Sequence, residues 1–405
     1  MINLLIAVSI LQAQLLKKIT DRVKSKVDKK VENKADKSVD AAMGGSTNSS
    51  TDNSSSTAAN SGGGSQAGPS SLKTYSKYDF VPGEKIIVFE DFIQDAVGDL
   101  PAKWNTNTAA ETVTIEGKAG HWMKMTKGVY MPDFITSLPE DFTLEFDLLV
   151  DKPAHSWGIS PVLAEIKDRD KLDNWREADN FLAVNLIPGE GGNGSSYYEK
   201  KKMGSLDQAP TATMNAFADL NRPVHVAMWR QKERLRIYLN ENKAWDVPKA
   251  ISPEAKFNAF IISIQLTDDW HFFVSNIRLA VGAPDTRNKI LKENKWVTHG
   301  ILFDVNSATI KPESSGSLKE IATVLKENPD LKIKIVGHTD SDGKDEDNLD
   351  LSKRRAAAVK EALSKDFSID AARMQTDGKG ESEPIDKNDT PAGKANNRRV
   401  EFIKM

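Results

Sequence analysis

Cysteine is absent from the 405 residues. That excludes disulfides, thiolate metal sites and a cysteine nucleophile. It also removes the acylated cysteine that would tether a bacterial lipoprotein, so any attachment has to be non-covalent. A charge excess of one sign is missing too. The formal net charge of −3 and a pI near 6.2 give no general pull toward nucleic acid or an anionic membrane. Long apolar runs are also lacking. The N-terminal stretch MINLLIAVSILQAQ is an apolar run of about a dozen residues, shorter than the roughly 20 needed to span a bilayer.

That stretch matches the apolar core and small-residue end of a secretory signal, although no Lys or Arg precedes Leu4. Residues 1–14 are therefore expected to be a signal peptide. Residues 15–43 follow as a charged helical segment, in which Ile19, Val23, Val27, Val31, Ala35 and Val39 recur every four positions. A spacing of four overshoots the helical repeat, so the apolar row drifts about 40° per step and cannot form a long coiled-coil seam. Nine basic and five acidic residues surround it. Two readings stand, a basic amphipathic helix on a membrane or partner and a solvated stalk, with the stalk preferred. Residues 44–74, rich in Ser, Gly and Asn, bury almost nothing and are expected to be a disordered linker.

Residues 75–285 change character. KIIVFE, ETVTIEG, FTLEFDLLV, FLAVNLIPG, PVHVAMW, RLRIYLN, FIISIQL and FFVSNIRLA are short Val-, Ile- and Phe-rich runs separated by Pro, Gly, Asn and Asp. No long amphipathic helix interrupts them, which predicts an all-β sandwich. EDFIQDAVGDLPAKW and RLRIYLNENKAW resemble the jelly-roll sandwiches of the laminin-G and concanavalin type. Glucanases of that architecture use a Glu-x-Asp-x-x-Glu strand. Here Glu145 and Asp147 are present but Val150 stands where the second Glu would be, so hydrolysis by this route is not expected. The two carboxylates read instead as the polar side of a half-buried strand. All eight tryptophans lie between Trp104 and Trp296, and core filling is preferred to sugar stacking for them.

Residues 297–405 read as β-α-β-α-β-β, an α+β domain with its helices on one face of the sheet. GILFDVNSATI supplies the first strand and turn. The first helix has Leu318, Ile321, Ala322 and Leu325 on one face. In the second, Leu351, Ala358, Val359 and Ala362 can cover the sheet, and Arg355 sits near the helix start. An aspartate after a strand, Asp340, and Arg355 on the following helix suit a zwitterion. The carboxylate accepts from an ammonium group, and the guanidinium grips a carboxylate as a fork. Asn348 is expected to cap the helix N-terminus beside them.

The spacing Gly337-His338-Thr339-Asp340, then Asn348, Leu351, Ser352, Arg355, Ala356, Val359 and Leu363, resembles the signature of the OmpA-like C-terminal domain. The closing stretch agrees through Gly378, Gly380, Pro384, Asn388, Thr390, Gly393 and NNRRVEF, with Lys394 where Arg is usual. The wider layout is similar to OmpA family proteins of the Bacteroidetes type, with an upstream β-sandwich in place of a membrane barrel. The resemblance implies non-covalent binding of peptidoglycan through meso-diaminopimelate. Asp340 would take the ammonium and Arg355 the carboxylate, with Thr339, Asn348 and Arg398 in support.

Against the EF-hand template, the loop DSDGKDEDN places His338 at position one and Leu349 at twelve, so no specific calcium site is expected. Neither a metal centre nor a catalytic triad emerges from the scattered histidines, and no cofactor is implied. The expected protein is a multidomain, non-enzymatic envelope protein, exported to the periplasm or outer membrane and holding peptidoglycan. It needs neither nucleic acid nor an integral span in the mature chain. A glycan or an envelope protein is the expected second partner, at the sandwich; the alternative is a wall-linked, lectin-like carbohydrate-binding protein in which the sandwich carries the main function. If the first segment is a cleaved signal, N-terminal sequencing of the envelope fraction should find chains beginning near Leu15 or Leu16. An intact Met1 in that fraction would refute cleavage there.

Overall fold

Alternation along one strand organises the molecule. In Asp141–Val150, Phe142, Leu144, Phe146 and Leu148 enter the core, and Thr143, Glu145 and Asp147 point the other way. The computed structural model to which this strand belongs describes residues 78–405, apart from 153–157, 190–193, 266–269 and 283–284. The expected signal peptide, helical segment and linker lie outside the described residues.

Two eight-stranded antiparallel sheets face each other across that core. The first runs Asn242–Val247, Arg234–Leu239, Val224–Gln231, Asp141–Val150, Phe272–Val281, Trp122–Met125 and Ala110–Val113, with Lys85–Glu90 also pairing to Phe272–Val281. The second runs Ser205–Gln208, Gly194–Lys202, Phe181–Ile187, Ile159–Ala164, Ala259–Ile264, Gly128–Pro132 and Trp104–Thr106, with Ala212–Met214 pairing to Gly194–Lys202. Phe146 and Phe260 meet between the sheets with ring centres 5.6 Å apart. Burying each such side chain contributes roughly 1.5–3 kcal/mol. This is the expected sandwich, with more strands than its strongest apolar runs announced. Short polar strands such as Trp104–Thr106 and Ser205–Gln208 carry too little pattern to be seen alone.

A four-stranded sheet follows, in the order Lys295–Thr298, Val400–Lys404, Ile333–Gly337, Met374–Gly378. Helix α1 (Thr286–Lys292), α2 (Ser315–Glu327), α3 (Asp345–Phe367) and α4 (Pro391–Asn397) accompany it. Residues from α1, α2 and α3 share one core with Trp296, Ile333, Ile335, Met374 and Phe402. The β-α-β-α-β-β order is present, with three local corrections. The first strand is Lys295–Thr298, and GILFDVNSATI contributes only an isolated bridge between Phe303 and Ile310. The buried stripe of α3 is Asn348, Ser352, Ala356, Val359 and Leu363, which leaves Leu351 and Ala358 on its flanks. Finally, α1 and α4 were not read from the sequence.

The outward face of Asp141–Val150 is not half-buried as expected, because Glu145 is only 1% exposed. Residues Lys73–Met405 form a single unit, and the C-terminal domain covers this face. The carboxylates meet a built-in set of partners. Arg278, directly across from Glu145, grips it with Nε at 3.0 Å and Nη2 at 2.6 Å. His225, across from Asp147, places Nδ1 2.8 Å from Asp147 and Nε2 3.2 Å from Glu145. A bulge at Ser275/Arg278, with Asn276 at φ 54°, lets Asn276 donate to Asp147 at 2.8 Å. Arg278 Nη1 then crosses the junction and donates to the His299 carbonyl at 2.9 Å. The lead-in Tyr78–Gly83 also lies here, so close to α2 that a Cβ on Gly316 would fall 1.9 Å from the Phe80 carbonyl oxygen.

These burials set a pH window. Desolvation alone would lower His225, but hydrogen bonds and charge from Asp147 and Glu145 outweigh it and raise its pKa to about 10. Its stabilising contribution is complete below about pH 6.5 and is lost as pH climbs toward 10. Glu145 and Asp147 are held below the usual range by Arg278 and His225 against the cost of burial, so their contribution is lost in acid. His299 is pushed down to about 4, chiefly by burial, so its contribution fades between about pH 6.5 and 4. The melting temperature should therefore peak near pH 6–7. In His225→Gln it should be lower at pH 7 but flatter between pH 7 and 10. An alkaline decline as steep as the parent's, measured by thermal scans across pH, would remove His225 from this role.

Candidate functional site

Two close packings bring the expected residues together. A Cβ on Gly337 would meet the Ser352 carbonyl oxygen at 2.3 Å, and one on Gly378 would meet the Lys353 nitrogen at 2.4 Å. Glycine at these strand ends lets α3 lie directly on the sheet. Ser352 tightens the contact by accepting from the Gly380 amide at 2.9 Å. The start of α3 and the loop after Ile333–Gly337 thus form one pocket wall.

Asp340 sits in that loop and is 7% exposed. Its Oδ2 accepts from Arg398 Nη1 at 2.5 Å, and its Oδ1 from the Asp342 amide at 3.2 Å. Arg355 on α3 donates through Nε to the Ser307 carbonyl at 3.0 Å and lies 4.9 Å over the Phe303 ring. It forms no ion pair with a carboxylate among the described residues. Burial first, and the Arg398 charge second, lower its pKa to about 10 despite the attraction of Asp340. It remains cationic at neutral pH. Arg355 and Arg398 thus both act on Asp340, and only Arg398 pairs with it directly.

Thr339 is buried, with its amide bound to the Gly380 carbonyl at 2.9 Å and its Oγ1 without a partner. A buried hydroxyl left unpaired is costly unless a ligand or water satisfies it. Asn348 does not cap α3. The helix begins at Asp345 after Lys344, and Asn348 lies within its first turns. Its amide instead donates to the Asp340 carbonyl at 3.3 Å, the Asp342 carbonyl at 3.1 Å and Glu381 Oε2 at 2.5 Å. It fastens the Asp340 loop from beneath. Three acidic residues, Asp345, Glu346 and Asp347, open the helix in its place.

All five expected residues lie on the segments that build this pocket, with Asp340 and Arg398 in direct contact. The sequence did not point to Phe303 and Ser307, which hold Arg355, or to Phe89 of the sandwich, whose ring lies 5.0 Å from the Arg398 guanidinium. Lys394, standing where Arg is usual, pairs with Asp342 at 2.7 Å. Among the described residues no group of three or more side chains is arranged to hold a metal. No described helix is long and apolar enough to cross a membrane.

Residues 302–398 match the OmpA family. The chain is 44% identical over 104 residues to a probable lipoprotein, YiaD, of Escherichia coli, covering 26% of this chain and 47% of that protein. It is 34% identical over 116 residues to the outer-membrane lipoprotein YfiB of Pseudomonas aeruginosa, covering 28% and 68%. Among solved structures, the peptidoglycan-associated lipoprotein from Burkholderia pseudomallei is 30% identical, covering 30% of this chain and 98% of that one with a TM-score of 0.26. The chain spans half or less of the length of the first curated relatives it matches.

Proposed function

Because the chain belongs to the OmpA family through its C-terminal domain, we propose that it is a non-enzymatic envelope protein that holds peptidoglycan through the diaminopimelate of the stem peptide. The carrying observation is that Arg355 has no carboxylate partner among the described residues while Asp340 and Arg398 pair beside it. The distal carboxylate of the ligand pairs with Arg355, and the ammonium shares Asp340 with Arg398. Thr339 Oγ1 supplies a further polar contact, and Asn348 keeps the loop in register. A peptidoglycan partner places the protein in the periplasm or against the outer membrane. The peptidoglycan-associated lipoprotein is, by its name, a wall-associated relative, which supports the same reading.

A catalytic role for Glu145 and Asp147 has no support, since both carboxylates are occupied by Arg278, His225 and Asn276 under the C-terminal domain. The lectin-like alternative has less support, since every Phe, Tyr and Trp among the described residues is buried or partly buried. A glycan array probed with the full chain would revive it by showing binding that survives loss of the Arg355 pocket.

Arg355→Ala removes the fork for the carboxylate, and Asp340→Asn removes the charge that holds the ammonium. Charge-assisted hydrogen bonds are worth roughly 1.5–3 kcal/mol, so each change should weaken wall binding about tenfold to a hundredfold. The double variant should lose less than the sum, because both groups hold one ligand. Pelleting with purified peptidoglycan checks this, comparing wall that contains meso-diaminopimelate with wall that contains lysine. Lysine lacks the distal carboxylate, so discrimination should vanish in Arg355→Ala. If both folded single variants pellet with diaminopimelate wall as the parent does, the pocket is misassigned.

A further inference from the structure

We propose that the sandwich is part of the wall site, with Phe89 acting as the positioning residue for Arg398; this rests on the reading of Asp340, Arg355 and Arg398 as the ligand pocket. Arg398 follows α4, a helix of only seven residues that cannot fix its own end. The sandwich fixes it instead. Asn396 donates from Nδ2 to the Ile86 carbonyl and accepts from the Ile86 amide at Oδ1, both at 2.9 Å. The side-chain amide thereby imitates one rung of a strand pair on Lys85–Glu90. Ala395 packs with Ile86 and Ala280, and Phe89 lies against the same cluster.

Two residues beyond Asn396, the Arg398 guanidinium is held from two sides. Asp340 of the C-terminal domain takes Nη1 at 2.5 Å, and the Phe89 ring of the sandwich faces the guanidinium carbon at 5.0 Å. An aromatic face both attracts a cation and restricts its plane. Held in that plane, Arg398 orients the Asp340 carboxylate, whose Oδ1 accepts from the Asp342 amide at 3.2 Å and keeps a lone pair for a ligand ammonium. Without the ring, the partly exposed guanidinium can swing, and the Asp340 carboxylate loses its fixed direction. The sandwich thus sets ligand affinity without touching the ligand.

The test uses the full chain with Phe89→Leu, which keeps apolar bulk without a π face, and Phe89→Tyr, which keeps the ring. Phe89→Met serves if Phe89→Leu melts early. Two readouts are taken: the rate of phenylglyoxal modification of Arg398, followed by mass spectrometry, and pelleting with meso-diaminopimelate peptidoglycan. In Phe89→Leu, Arg398 should react several times faster and wall affinity should fall about three- to tenfold at an unchanged melting temperature. Phe89→Tyr should match the parent in both. An unchanged Arg398 rate in Phe89→Leu overturns the proposal, and so does a Phe89→Tyr variant as impaired as Phe89→Leu, since volume and not the ring would then matter. A parent that fails to pellet refutes the peptidoglycan reading, and the Arg398 rates alone then decide the positioning role.

Discussion

The pairing of Glu145 with Arg278 is the constraint on which the arrangement of the described chain depends. Both groups are almost fully buried, and Arg278 also donates through Nη1 to the His299 carbonyl at 2.9 Å. Taking such charges out of water is expensive, and the cost is recovered only when every donor and acceptor is matched. Here the match includes an acceptor that the sandwich does not own. His299 completes its side of the contact by placing Nε2 2.9 Å from the Asn396 carbonyl. The polar face of the sandwich and the start of the C-terminal domain therefore satisfy each other, and neither is complete alone.

A consequence reaches the pocket through α4. Its last turn is tied to the sandwich by Asn396 and to His299 by its own backbone, and the residue that follows is Arg398. The position of one pocket cation is thus inherited from the junction. Sequence patterning separates residues 75–285 from 297–405, yet the contacts tie the surroundings of Asp340 to both. The approach of Phe80 to Gly316 strengthens this, because the lead-in segment occupies the space a side chain on α2 would need.

Much of this was legible beforehand, for reasons that mark the limits. Alternation exposed the strands that bury one apolar face, such as Asp141–Val150, and the 3.6-residue period exposed α2. The spacing from Gly337 to Leu363 located Asp340 and Arg355 because loop and helix are adjacent in the chain. What stayed hidden depends on register between distant segments. Glu145 and Asp147 look solvated until Arg278 and His225 are paired across from them. Asn348 looked like a cap because it follows an acidic loop, but the helix starts three residues earlier and turns its amide toward that loop. Phe89 gave no signal, since it meets Arg398 from more than three hundred residues away and belongs to a different domain.

The charge balance of the pocket ties these levels together. Asp340 lies between Arg398, which the sandwich steadies, and Arg355, which Phe303 and the Ser307 carbonyl steady. Arg398 pairs with Asp340 directly, whereas Arg355 is held by the Ser307 carbonyl and the Phe303 ring and makes no ion pair with it. Burial lowers the Arg355 pKa to about 10 but leaves it charged at neutral pH. A ligand carrying only an ammonium would leave Arg355 without a carboxylate. One carrying only a carboxylate would leave Asp340 to Arg398 and gain a single fork. Under the proposed reading, a ligand with both groups on one carbon satisfies Arg355 and shares Asp340 at once, and the position of Arg398 between Asp340 and the Phe89 ring ties that demand to both domains.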